Sequence, residues 1–292
     1  MKASTKASAS IAYREFAPPP ALSRLVVAGC AIQTGASSAR LRILPDACDY
    51  IVFRANHGLR LISGRRETHE QTAFAANESV TGFKLRPGSL AALLDLDARD
   101  LDSHGLLDIG DCRERLDRKH REVLLRWEDR SAEDSTAPRL LDSLATAVGV
   151  LARNREVDRK LEFLAALQSG FRNAPETRLK NFAQEAGISL RTLERRVQES
   201  CGLSPARFRS IVRFFGAYRM LSRSIANDAA GKVAAAGMGD AGRSLTDVAH
   251  DAGYADQAHF IREFRRFAGL RPRDARLYPE RFGLNPAALP KS

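Results

Sequence analysis

Between Leu25 and Leu85 the apolar positions come in short runs: LVVAGCAI, RLRILP, DYIVFR, LRLISG and SVTGFKL. They are rich in β-branched and aromatic residues, and Gly, Pro, Asn or Asp stands between most of them, which predicts a series of short strands. RPGSLAALLDL then reads as a turn entering a helix, with Ser89 as its N-cap. From about Cys112 to Ser169 the spacing is mostly helical, broken at the acidic, Ser/Pro-containing EDRSAEDSTAP. The run LEFLAAL, Leu161 to Leu167, is the last apolar stretch before SGFRNAPETR, which marks a domain boundary. Ahead of the strands, residues 1–12 are Ser/Ala/Lys-rich and predict a disordered tail, and APPPAL stiffens the entry to the first domain.

Beyond the boundary the pattern repeats. FAQEAGISLRTLERRVQESCGLSP, from Phe182, lies over VAHDAGYADQAHFIREFRRFAGLRP, from Val248, with one extra residue in the second turn. Leu179, Phe182, Ala183 and Ala186 fall at i, i+3, i+4, i+7, as do Leu245, Val248, Ala249 and Ala252. Gly187 and Gly253 end these helices. Ser189 and Asp256 cap the next ones, whose inward positions are Leu193 and Val197 in the first copy and Phe260, Phe264 and Phe267 in the second. Each copy is therefore a helix-turn-helix. Phe208, Ile211, Val212 and Phe215 mark one face of a linking helix that starts near Pro205. The predicted class is α+β: a β-rich domain with flanking helices over residues 13–170, then an all-α domain of two helix-turn-helix motifs joined by a linking helix over residues 171–285.

Charge sharpens this division. The net charge is +11. From Phe171 onward there are 21 Lys+Arg against 12 Asp+Glu, whereas the first 170 residues hold 25 against 23. A basic domain beside a near-neutral one points to a polyanionic partner for the former. Subtracting the buried positions leaves outward faces of Arg191, Glu194, Arg195 and Gln198 on the first unit, and of Gln257, Ala258, His259, Arg262, Arg265 and Arg266 on the second. Arg can bind guanine O6 and N7 together, Gln adenine N6 and N7, and Glu can accept from cytosine N4. A linking helix of about 20 residues spans roughly 30 Å, close to the ~34 Å turn that separates successive major grooves on one face of DNA. Double-stranded DNA is the expected partner.

The segment from about Arg178 to Arg276 resembles the DNA-binding domain of the AraC/XylS family. Gly253, Tyr254, Ala258-His259-Phe260, Arg262, Phe264, Arg265, Gly269 and Pro272 follow the family pattern in order, as do Gly187, Ser189, Leu193, Arg195, Gly202, Ser204 and Pro205 in the first unit. The resemblance implies sequence-specific promoter binding and control of transcription, usually activation through RNA polymerase. One departure is SIANDAAGKVAAAGMGDAGR, residues 224–243, longer than the family's short connector and Gly/Ala-rich, so that it reads as a flexible surface loop. LPDACDYIVF and GFKLRPGSLAALL are similar to N-terminal domains of some AraC-type regulators, which implies a sensing or dimerising domain, with a small-molecule effector and a homodimer as candidate partners. Asp46, Asp49, His57 and Arg86 are candidate pocket residues there. Against that stand a turn for Asp46, a loop for His57 and a helix entry for Arg86-Pro87-Gly88.

Other classes find less support. HExxH, GxSxG, the Walker loop and GxGxxG are missing, so no enzyme and no cofactor are expected. Four scattered cysteines, Cys30, Cys48, Cys112 and Cys201, contain no CxxC pair, which argues against zinc and against the repair enzymes fused to some AraC-type domains, and fits a reducing cytoplasm. No apolar run approaches a membrane span and MKASTKASASIAYREF lacks the apolar core of a signal peptide, so a soluble cytoplasmic protein is expected. An architectural binder, indifferent to sequence, is the alternative to a regulator.

Overall fold

The computed structural model describes residues 11–100, 106–108, 116–131, 136–152, 155–229 and 244–277. The first domain is built on a six-stranded antiparallel sheet, ordered β1-β2-β7-β4-β5-β8, and a two-stranded ribbon, β3–β6. The strands are β1 (Ile11–Phe16), β2 (Val26–Thr34), β3 (Ala39–Ile43), β4 (Asp49–Arg54), β5 (Gly58–Ile62), β6 (Glu70–Phe74), β7 (Ser79–Leu85) and β8 (Leu106–Asp108). All pairings are antiparallel.

Alternation along the strands sets the two faces of the sheet. Ile51 and Phe53 of β4, Leu59 and Leu61 of β5, and Phe83 and Leu85 of β7 point to one side. There they meet α1 (Ser89–Leu93), α2 (Arg118–Ser131) and α3 (Ala137–Leu151). Trp127 of α2 stands edge-on to Phe53 and donates its indole N–H to Ser143 Oγ at 2.8 Å. The opposite side of the sheet carries Val52 and Val80, which pack under Leu41 and Phe74 of the ribbon. Helix α1 enters differently from the sequence expectation. Its N-cap is Gly88, at φ 74°, while Ser89 lies inside the first turn with its hydroxyl turned to the Leu25 carbonyl.

The helices of the second part are α5 (Leu179–Glu185), α6 (Leu190–Cys201), α7 (Pro205–Ala229), α8 (Leu245–Asp251), α9 (Gln257–Ala268) and α10 (Pro272–Leu277). They share one core with α4 (Arg155–Asn173), which runs through the sequence-marked boundary. Its Phe171 is fully buried, edge-on to Phe182 of α5 and Phe208 of α7. Leu44 and Ala47, from the turn between β3 and β4, belong to this same core. Ala47 holds φ at 61°, a conformation that costs a β-carbon-bearing residue strain. Two loops singled out in the sequence thus lie where the domains meet: Leu44-Pro45-Asp46 inserts its leucine, and Arg86-Pro87-Gly88 packs Gly88 against Leu164 and the Ser200 carbonyl.

Candidate nucleic-acid interface

Both predicted helix-turn-helix units are present, and local hydrogen bonding shows why each turn is sharp. In the first, Gly187 N–H donates to Gln184 O and Ile188 N–H to Ala183 O; in the second, Gly253 N–H donates to His250 O and Tyr254 N–H to Ala249 O. The turn glycines sit at φ 64° and 73°, where a side chain would be strained. Ala183 and Ala249 are buried at the crossing of each helix pair, and their small size permits the close approach. The second helices begin with the caps expected from sequence. Ser189 Oγ accepts from Thr192 N–H, and Asp256 Oδ1 accepts from His259 N–H at 2.6 Å.

The inward positions are closed. Leu193, Val197, Phe260, Phe264 and Phe267 are at most 1% exposed, which commits the other faces of α6 and α9 to the outside. Arg191, Glu194, Arg195 and Gln198 are all exposed on α6. On α9, Ala258, Arg262, Arg265 and Arg266 are exposed, while Gln257 and His259 are half-buried. Two of these arginines are partly held. Arg195 faces Glu199 one turn on at 3.4 Å, and Arg266 pairs with Glu263 at 2.7 Å while lying over the Phe267 ring. His259 stands edge-on to Tyr254, which limits its swing. Arg195 and Arg262 occupy equivalent positions in the two units.

Sequence reasoning missed three determinants of this surface. The first is Thr246 on α8, whose hydroxyl donates to Gln257 Oε1 at 2.8 Å and so sets the orientation of that amide. The second is Phe214. Periodicity placed Phe215 on the inner face of the linking helix, but it is Phe214 that is fully buried, 5.3 Å from Phe264 and 4.9 Å from Phe267. Phe215 instead meets Lys84 of the first domain. The third is a polar joint between α7 and the second unit. Arg213 lies over the Tyr254 ring at 4.2 Å, and burial, then the neighbouring Glu263, push the Tyr254 phenol upward. Arg209 donates to Thr177 O at 2.9 Å, which ties α7 to the entry of the first unit. Both units are therefore fastened to α7 through packed side chains. Residues 224–229 of the Gly/Ala insertion continue α7 rather than forming the expected loop, and residues 230–243 lie outside the described residues.

The four pocket candidates of the first domain do not converge. Asp46 is buried and accepts from Lys84 Nζ at 2.6 Å, Tyr50 Oη at 2.7 Å and Cys48 N–H. Asp49 is buried and accepts from Gly64 N–H and Leu90 N–H, and burial raises its pKa to about 7. His57 is an exposed turn residue, and Arg86 donates to Ser23 O. A cavity of about 210 Å³ exists elsewhere, between the ribbon and the sheet, lined by Ile32, Leu41, Val52, Phe74 and Val80 with Tyr13, Tyr50, Arg54 and Arg66. Among the described residues no group of His, Cys, Asp and Glu could hold a metal ion, and no helix is long and apolar enough to cross a membrane.

Comparison with known proteins adds the following. Residues 14–106 match a family described as a domain of unknown function (DUF6597). The HTH-type transcriptional activator RhaS of Escherichia coli strain SE11 is 29% identical over 167 residues, covering 53% of this chain and 52% of RhaS. The RhaS of Escherichia coli O157:H7 matches equally. The chain thus spans about half the length of the curated relatives it matches. ToxT from Vibrio cholerae O395 is a distant structural neighbour, 10% identical with a TM-score of 0.36 over 92% of this chain and 97% of that one.

Proposed function

We propose that the chain is a transcriptional regulator of the AraC/XylS type, as its likeness to RhaS supports, and that it reads DNA by placing α6 and α9 in successive major grooves. The observation that carries this reading is the pair of equivalent outward faces, with Arg195 and Arg262 at matching positions on two units fastened to one helix. Arg191, Arg195, Gln198, Arg262 and Arg265 supply donors to base edges or phosphates, and Glu194 supplies an acceptor. Helix α7 has 25 residues, about 37 Å at the usual rise, which suits two grooves one turn apart.

The first domain is the regulatory half of this reading. A small, largely apolar effector would occupy the cavity under the β3–β6 ribbon, whose polar lining includes Arg54, paired with Glu78, and Arg66, paired with Glu70. Dimerisation through this domain and contact with RNA polymerase complete the proposed role. Selection of random duplexes with the purified chain tests it. Two conserved blocks about one helical turn apart are expected, and Arg195→Ala and Arg262→Ala should each cost roughly 1–3 kcal/mol at particular bases. Equal losses on every sequence would point to an architectural binder instead.

A further inference from the structure

The β3–β6 ribbon has two surfaces with different neighbours. Its inner face, through Leu41, Ile43, Thr72 and Phe74, roofs the cavity of the first domain. Its end, with the connection from residue 63 to 69 that leads into β6, touches the DNA-reading half at both second helices. Arg42 of β3 donates through Nη1 to the Ala268 carbonyl at 2.7 Å, at the C-terminus of α9. The His69 imidazole lies beside it, against Gly269. Both side chains crowd Gly269 so closely that a β-carbon there would collide with the imidazole and the guanidinium. At the C-terminus of α6 the equivalent residue, Gly202, is crowded in the same way by the Arg65 side chain. Glu67, two residues on, pairs with Arg207 of α7 at 2.6 Å.

This arrangement follows from backbone electrostatics. The last carbonyls of a helix lack intrahelical partners and carry partial negative charge, so cationic or N–H-donating side chains are stabilised there. The glycine after each helix is the one residue type that leaves room for such a donor to lie against the backbone. The two repeats have the same glycine: Arg42 donates to the carbonyl beside Gly269, whereas Arg65 lies against Gly202 while its guanidinium donates to the Ala98 and Arg99 carbonyls of the first domain.

We propose that the β3–β6 ribbon and its leading loop are a clamp that fixes the relative setting of α6 and α9. The proposal rests on the DNA reading given above. Its consequence is specific: the first domain determines which separation of half-sites the chain accepts. Two linked readers gain avidity only where their geometry matches the sites. A clamped pair is selective for spacing, and a loosened pair is tolerant.

The test uses the full chain and the Arg42→Ala/His69→Ala double variant on duplexes carrying the two selected blocks at varied separations. Wild type should prefer one separation by about tenfold over neighbours two base pairs away, and the variant by less than about threefold, with single-block binding unchanged. Arg42→Lys should restore part of the preference, since lysine can still donate to the Ala268 carbonyl. Amide hydrogen exchange provides a readout free of DNA. Gly269 N–H, bonded to Arg265 O at 2.8 Å, should exchange faster in the double variant, while Gly202 N–H should respond to Arg65→Ala. Normal selection with an unchanged spacing profile and unchanged exchange would overturn the clamp alone. A wild-type chain that selects no sequence would overturn the reading on which it rests.

Discussion

Replacing Lys84 with Met asks what joins the two halves. The Lys84 side chain is 5% exposed and that of Asp46 4%, with Nζ and Oδ2 2.6 Å apart. Burial works against the charged ammonium, but the Asp46 carboxylate outweighs it and holds the Lys84 pKa above the ordinary lysine range. Its contribution to stability is therefore complete below about pH 10 and lost only as pH rises beyond that. Removing one partner of a buried pair typically costs about 3–5 kcal/mol, because the survivor remains charged and unpaired. Asp46 keeps two donors, the Tyr50 hydroxyl and the Cys48 N–H, so the expected loss for Lys84→Met is near the low end, about 3 kcal/mol. Neutralising the survivor should recover most of it. An asparagine at position 46 can accept from Cys48 N–H and donate to the Tyr50 oxygen, so Lys84→Met/Asp46→Asn should lie within about 1–2 kcal/mol of wild type.

Urea unfolding followed by tryptophan fluorescence and by far-UV circular dichroism reads both halves. The chain has a single tryptophan, Trp127, which is buried in the first domain, whereas the dichroism is dominated by the helices. Lys84 Nζ also lies 5.2 Å from the centre of the Phe215 ring on α7, so its loss should separate the two transitions as well as lower them. A Lys84→Met loss under about 1 kcal/mol would refute the account of a charge-compensated joint. So would a double variant as unstable as the single one.

Three further outcomes are expected. The Asp49 pKa, raised by burial to about 7 from an ordinary 3.8, means that the folded state binds the extra proton; stability should fall as pH rises from about 4 to 7, and Asp49→Asn should flatten that slope while itself costing an acceptor. Identical slopes in urea titrations of the two proteins would contradict this. Phe214→Ala should cost about 3–5 kcal/mol and leave residues 244–277 exchanging amide hydrogens first; a cost under about 1 kcal/mol would show that the second unit is held elsewhere. Thr246→Val removes the hydroxyl that engages Gln257 Oε1, so base preference at the position facing the start of α9 should change while overall affinity stays within about threefold. An unaltered base profile would exclude a positioning role for Thr246.

The second half was largely legible because its information is local. Spacing of Leu, Ala and Phe by three and four, a glycine at each turn and a Ser or Asp cap define each unit within two dozen residues, and these recur in the structure except that Ala186, expected on the inner face of the first helix, is its exposed C-cap. The strands β2, β3, β4, β5 and β7 were legible by β-branched runs between turn residues. The other three were not. Among the residues of β6, EQTAF, the buried one is Phe74; β1 lies beside a Ser/Ala/Lys-rich stretch; and β8 has three residues. What joins the domains was illegible for a different reason. Arg42 and Ala268 are 226 residues apart, and Lys84 and Phe215 are separated by more than a hundred; nothing in the pattern around either partner announces the other. Periodicity also placed Phe215 on the buried face of α7 where Phe214 belongs, because the helix packs against different neighbours on two sides and its apolar stripe is correspondingly broad.

The basic surplus of the second half, which first suggested a polyanionic partner, divides on inspection into two populations with different work. Arg209 holds Thr177 O, Arg213 covers Tyr254, Arg207 pairs with Glu67 and Arg196 lies over Phe163. The first three fasten α7 to its units and to the first domain, and Arg196 fastens α6 to α4. Their charge still contributes to the long-range field that draws a polyanion in, but only cations that meet phosphates release counterions and set the salt dependence of binding. The second population, on the exposed faces of α6 and α9, includes Arg191, Arg195, Arg262 and Arg265. In the proposed reading, steering therefore draws on the whole basic half, whereas contact is confined to two helix faces, and the first population keeps those two faces in register. Arg42 and Arg65 extend the same device from the other side: cations of the near-neutral domain are placed against helix C-termini, where they oppose neither the DNA-facing charge nor its reach.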